Sequence, residues 1–170
     1  MMEKKLIDQI NDQINKELYS EYYYVSMAAY FIDKGLDGFA NFFIVQAQEE
    51  HFHAMKFFNY IYERGGSVVL EEIKKPPSDF ADAEDIFKKA LEHEQFVTKS
   101  INGLMKTAKE LNDYASESFL QWYIDEQVEE EDSMQTLLDK VAMVKNSPNG
   151  LLMMDKELAG RTFTPPAAEE

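Results

Sequence analysis

The stretch GFANFFIVQAQEEHFHAMKFFNYIYERGG, residues 38–66, decides the fold. Taken in alternating steps of three and four, it gives Phe39, Phe43, Gln46, Glu50, His53, Phe57 and Tyr60, which is the spacing of one helix face and not the alternation of a strand. That face is apolar at both ends and polar in the middle. An ionised carboxylate without a partner is strongly unfavourable in an apolar interior, so the interruption needs a chemical reason.

The same pattern recurs on both sides of this stretch. Downstream, one stripe reads Phe87, Ala90, Glu94, Val97, Ile101, Leu104, Ala108 and Leu111, and a second reads Leu120, Tyr123, Gln127, Glu130, Met134, Leu137 and Val141. Upstream, the walk passes Ile7, Ile10, Ile14, Glu17, Tyr24, Ala28 and Phe31, with Glu21 also on it. None of the four stripes carries Lys or Arg; the nearest, Arg64, stands at the end of the second.

Gly35 and Gly38, Gly65-Gly66, Pro76-Pro77, and Pro148 with Gly150 mark the boundaries. They predict helices near 4–34, 38–64, 82–111 and 115–145, and a short fifth near 149–159. The breaks at Gly35 and at Asn112-Asp113 are short, as in antiparallel hairpins. Gly65 to Ala81 is 17 residues, which reach roughly 55 Å when extended. The second helix needs only ~40 Å at its rise per residue. That connection can run the length of the molecule and make helices two and three parallel. The expected fold is all-α, a four-helix bundle with one long crossover and a short fifth helix. Residues 1–160 form one domain, and 161–170 are an extended or mobile tail with no assigned chemistry.

The polar interruptions share a numerical relation. Glu17, Glu50 and His53 become Glu94, Gln127 and Glu130 on adding 77 (94 − 17, 127 − 50 and 130 − 53). Glu49 and Glu126 share that displacement. Two hairpins with matching offsets bring these groups to one level of the bundle, where four carboxylates and one imidazole converge. One His cannot neutralise four acids, so bound metal is the remaining solution.

Composition restricts the guests. The 170 residues carry 32 Asp+Glu against 17 Lys+Arg, a net charge of −15, which repels nucleic acid and anionic membranes and attracts cations. With no Cys there is no disulfide, thiolate site or cysteine-held iron–sulfur cluster. Neither a secretory signal nor an 18-residue apolar run occurs, so a cytoplasmic protein is expected. Oxygen ligands with one imidazole suit Fe, Mn or Mg. Two divalent ions balance four carboxylates, and a shared carboxylate lets them act jointly. With Glu50-x-x-His53 on one hairpin and Gln127-x-x-Glu130 on the other, the site is asymmetric, and one metal is held more loosely. Glu126, Glu129 and Glu130 are neighbours on one helix face, and with Glu49 they offer a further cation site. His51 and His93 fall off the stripes and are read as structural or exposed. Trp122 and the Met residues are read as packing groups.

NKELYSEYYY (15–24), AQEEHFHA (47–54), HEQ (93–95) and LQWYIDEQVEEE (120–131) together resemble the bacterial non-haem ferritins, over residues 1 to about 160. The resemblance implies that Glu17, Glu50 and His53 bind a first iron and Glu50, Glu94 and Glu130 a second, with a third site at Glu49, Glu126, Glu129 and Glu130. It implies that Gln127 hydrogen-bonds a bound oxygen species or water, and that Tyr24 orients a ligand or supplies an electron.

Bacterioferritins resemble the chain in fold, but they carry a second Glu-x-x-His and a haem-ligating Met where Glu130 and His51 stand here, so haem is not expected. Absence of Cys argues against a rubrerythrin, and the fifth segment against the smaller Dps-type cages. The expected function is iron storage by a ferroxidase. Fe(II) would be oxidised by dioxygen or peroxide, and the resemblance implies that ferric mineral collects in a self-associated cage of twenty-four copies. A di-iron oxygenase acting on an organic substrate and a non-catalytic acidic interaction protein are the alternatives.

Overall fold

The computed structural model describes residues 1–166. Five helices follow one another: α1 Lys4–Asp33, α2 Asp37–Glu63, α3 Ala83–Glu110, α4 Tyr114–Val144 and α5 Pro148–Leu158. Their ends lie within about a residue of the expected boundaries because local chemistry stops them there. Asp82, Asp113 and Ser147 each turn a side-chain oxygen onto a free backbone N–H of the first turn of α3, α4 and α5. At the other ends, Gly35 (φ 70°), Gly65 (φ 75°) and Asn112 (φ 54°) take the left-handed conformation that reverses the chain after α1, α2 and α3.

Pairings across the α1–α3 seam establish direction. Lys16 meets Ser100, whereas Ser20 and Tyr24, further along α1, meet His93 and Glu94, so the earlier part of α1 faces the later part of α3. Helix α1 is antiparallel to α3 across this seam and to α2, since Met2 N donates to Arg64 O and Glu21 meets His51; α2 and α3 are then parallel, as the long connection allows. Residues 64–82 contain neither helix nor strand. They are tied along one face of α1: Asn11 bonds Ser67 and Val69, Asn15 donates to Glu71 O at 3.1 Å, and Ser26 donates to Pro77 O at 2.7 Å. Phe80 then buries its ring against Tyr23 and Tyr30.

Helix α5 folds back on the start of α2. Asp155 Oδ1 accepts from Gly38 N at 2.8 Å and Phe39 N at 3.0 Å, satisfying two donors that the α2 terminus leaves free. Backbone approaches backbone so closely that a Cβ at Gly38 would stand 1.7 Å from Asp155 O, so only glycine fits.

The apolar interior is divided in two. One core gathers Tyr24, Phe31, Phe39, Phe43, Phe87 and Met134, and the other gathers Leu6, Ile10, Ile14, Phe57, Ile101 and Tyr123. The interrupted middles of the four stripes lie between them. On α1 the phase differs slightly from the walk that opens at Ile7. Leu6 is fully buried and Ile7 only partly, and Glu21 leaves the interior to pair with His51 Nδ1 at 3.1 Å.

Candidate metal centre

Each helix of the bundle brings polar side chains into the level between the two cores. Glu17 comes from α1, Glu50 and His53 from α2, Glu94 from α3, and Gln127 and Glu130 from α4, and all six are buried. Glu17 (1% exposed), Glu50 (2%) and His53 (3%) each offer one ligating atom, and these atoms lie within 4.8 Å of one another. Among the described residues no other set of three His, Cys, Asp or Glu ligands gathers so closely.

The helices make this set possible because Glu50 and His53 are three residues apart, on one face, with His53 Nδ1 3.5 Å from Glu50 Oε2. Tyr123 donates from its hydroxyl to His53 O at 2.8 Å and stacks against Phe57, fixing that turn of α2. Glu17 Oε1 accepts from Gln13 Nε2 at 2.8 Å, while Glu17 Oε2 is buried with no hydrogen-bond partner among the described residues. An orphaned buried carboxylate oxygen is costly and marks a place for a cation.

The acids expected on the second metal face uncharged donors. Glu94 accepts from the Tyr24 hydroxyl and, at 3.1 Å, from Gln127 Nε2. Glu130 accepts from Gln46 Nε2 at 2.9 Å. Tyr24 thus places its hydroxyl on Glu94, and Gln127 contacts the same carboxylate. Glu94 and Glu130 stand outside the 4.8 Å set.

Burial and like charge dominate the electrostatics. Desolvation, then the neighbouring Glu94, Glu17 and Glu130, holds the Glu50 carboxyl well above the usual carboxylate range. Burial and Glu130 push Glu94 up to about 8, against the hydrogen bonds from Tyr24 and Gln127. Burial lowers His53, leaving it a neutral imidazole able to ligate. Without metal this level holds protons, and a divalent cation would replace them.

The third group of acids is less assembled. Glu49 is half-buried and pairs with Arg161, Nη2 to Oε2, at 2.7 Å. The guanidinium also lies over the Phe42 ring, 4.5 Å from its centroid. Burial raises Glu49 to about 7 even though Arg161 opposes the shift. Glu126 is half-buried and Glu129 exposed. Arg161 falls in the segment assigned no chemistry, and it supplies a counter-charge to Glu49, beside the stripe. Thr162–Pro166 continue without helix; residues 167–170 of the expected tail lie outside the described residues.

His93 is half-buried and takes the structural role of its two expected readings. Its ring is surrounded by Tyr19, Tyr23, Tyr24 and Phe96, with Nε2 2.7 Å from Ser20 Oγ, and burial lowers its pKa to about 4. Stripe reading overlooked Gln13, although it stands four residues before Glu17, and it gave no role to Gln46, four before Glu50. A polar residue one turn upstream of each acid is the signal that could have found both.

A ferritin-like domain model matches residues 7–144 of the chain. The chain belongs to the ferritin family. The bacterial non-heme ferritins of Staphylococcus aureus and Staphylococcus epidermidis are each 41% identical over 163 residues, covering 96% of this chain and 98% of theirs. Among solved structures, an open pore ferritin from the hyperthermophilic archaeon Archaeoglobus fulgidus superposes with a TM-score of 0.94 at 44% identity, over 95% of this chain and all of that one. A humanized archaeal ferritin gives 0.96 at 45% identity, covering 97% of this chain and all of that one. Ferritin membership fits the four-helix bundle and its short fifth helix, and no helix among the described residues is long and apolar enough to cross a membrane.

Proposed function

We propose that this protein stores iron and acts as a ferroxidase, oxidising Fe(II) at the buried level between its two cores. The observation that carries this reading is the close set of Glu17, Glu50 and His53 with one carboxylate oxygen left unpartnered. A site of this composition prefers a hard or borderline cation, and the opposing Glu94 and Glu130 suit a second. Each Fe(II) gives up one electron, so two adjacent ions deliver a pair to dioxygen or peroxide without releasing a one-electron oxygen radical.

Glu50 is the candidate shared ligand, because the acids from both hairpins act on it electrostatically. Tyr24 and Gln127 orient Glu94 through their hydrogen bonds. A third cation at Glu49, Glu126, Glu129 and Glu130 would have to displace the Arg161 guanidinium. Family membership supports self-association into a hollow cage of twenty-four copies, with ferric mineral inside and α5 near the fourfold axes.

Anaerobic Fe(II) titration followed by admission of air tests the reading. Two tightly held irons per chain and a fast rise in ferric absorbance are expected. Saturation well below two, with only slow oxidation, would favour a non-catalytic bundle.

A further inference from the structure

Gln13 lies one helical turn before Glu17 and is 0% exposed. A buried amide is destabilising unless its donors and acceptor find partners. Here its Nε2 donates to Glu17 Oε1 at 2.8 Å and its Oε1 accepts from Ser100 Oγ of α3 at 2.6 Å. Ser100 Oγ in turn accepts from Lys16 Nζ at 2.8 Å.

The outer end fixes the polarity of this chain. An ammonium can only donate, so the Ser100 hydroxyl hydrogen is directed to the Gln13 carbonyl and the Gln13 NH2 faces Glu17. A flipped amide would set oxygen against oxygen at Glu17. Because each bond polarises the next, the charge on Lys16 strengthens the donor that reaches the carboxylate. One oxygen of Glu17 is therefore held by protein, and the other is the buried oxygen without a partner.

We propose that Gln13 is a positioning residue for the first cation. Through Ser100 and Lys16 it holds Glu17 as a one-oxygen ligand, with Oε1 engaged by protein and Oε2 presented to the metal beside Glu50 and His53. This rests on the paired-metal reading above. It also gives the α1–α3 seam a function, since the anchor for a ligand on α1 is a hydroxyl on α3.

Co(II), which binds such sites without being oxidised by air, is the probe, and its visible absorption follows each equivalent. Gln13→Leu keeps the bulk and removes the amide. It is expected to weaken one of the two equivalents about tenfold, the loss of ~1.4 kcal/mol, and to leave the other within about twofold. The band intensity of the affected Co(II) changes as well, because a Glu17 released from Gln13 can ligate through both oxygens. Ser100→Ala removes only the outer anchor and should weaken the same equivalent by about threefold.

Two equivalents in the parent protein with both variants unchanged would overturn the role of Gln13 and leave the centre standing. Equal loss at both equivalents would also overturn it, since that marks a general disturbance of packing. A parent protein with no tight equivalent would remove the centre and the proposal together. Should Gln13→Leu fail to fold, the Ser100→Ala titration decides by the same criteria.

Discussion

Glu50 is unfavourable for folding, and the proposed function gives it a chemical reason to be there. Its carboxyl is buried among Glu94, Glu17 and Glu130, so in the metal-free protein it is a source of instability. Glu50→Gln, which keeps the shape and removes the acid, should leave the metal-free melting temperature equal or higher, a gain of ~1 kcal/mol. The same substitution should slow iron oxidation by about a hundredfold or more. Thermal melts in chelator beside stopped-flow oxidation check both, and a large loss of stability would contradict this account. Protonation carries a second consequence. Glu94, raised from 4.5 to about 8, is protonated in the folded chain over a range where the unfolded chain has lost that proton, so its contribution is full below about 4.5 and is lost as pH rises to about 8. His93, lowered from 6.5 to about 4, works in the opposite sense, losing its contribution as pH falls from 6.5 to 4. Between pH 6.5 and 8 the carboxylates act without that opposition. Denaturant midpoints of the metal-free protein should fall across this window, and a bound divalent cation should reverse the trend.

Among the elements, α2 does the most, because it faces the centre with Glu50 and His53 and receives the C-terminal segment on its outer side. Asn41 Nδ2 donates to Leu158 O at 3.1 Å and Arg161 O at 3.0 Å, and Phe163 packs on Phe52 with centroids 5.9 Å apart. These contacts hold Arg161 against Glu49. The guanidinium, held there by several contacts, competes with a metal for that carboxylate. Arg161→Gln is therefore expected to tighten a third cation equivalent by about tenfold while the first two stay unchanged. Calorimetric titration with Zn(II) reads all three, and a third equivalent that does not respond would exclude competition at Glu49. Six helix limits were legible because short-range chemistry sets them, with Gly or Asn after α1, α2 and α3 and Asp or Ser before α3, α4 and α5. Arg161 was not legible, since an irregular segment has no periodicity to say which surface it meets.

At the scale of the whole molecule, the net charge of −15 acts in two places. A few acids lie in the centre, and most remain on the surface, where they repel one another and, under the proposed function, would draw cations inward. Surface attraction is screened within about 10 Å at 0.1 M salt. Raising ionic strength should therefore slow iron uptake several-fold, with little effect on the affinity of the buried ligands. Uptake rates at low and high salt, beside equilibrium titrations, separate the two. Assembly gives a further expectation. A hollow cage elutes from gel filtration far ahead of a 19.7 kDa chain, and elution as a monomer or dimer would instead favour an oxygenase.

Sequence by itself determined the four amphipathic helices, the crossover and the level at which polar groups meet. These follow from the 3.6-residue period, from breaker residues and from the 77-residue displacement, all properties of order along one chain. Only the tertiary structure decided which acids gather closely and which do not, that Tyr24 and Gln127 both address Glu94, and that Gln13 and Arg161 hold Glu17 and Glu49. Those outcomes depend on distances of a few ångströms between side chains far apart in sequence. A hydrogen bond or an ion pair loses its strength over such distances, so helical phase alone cannot specify it.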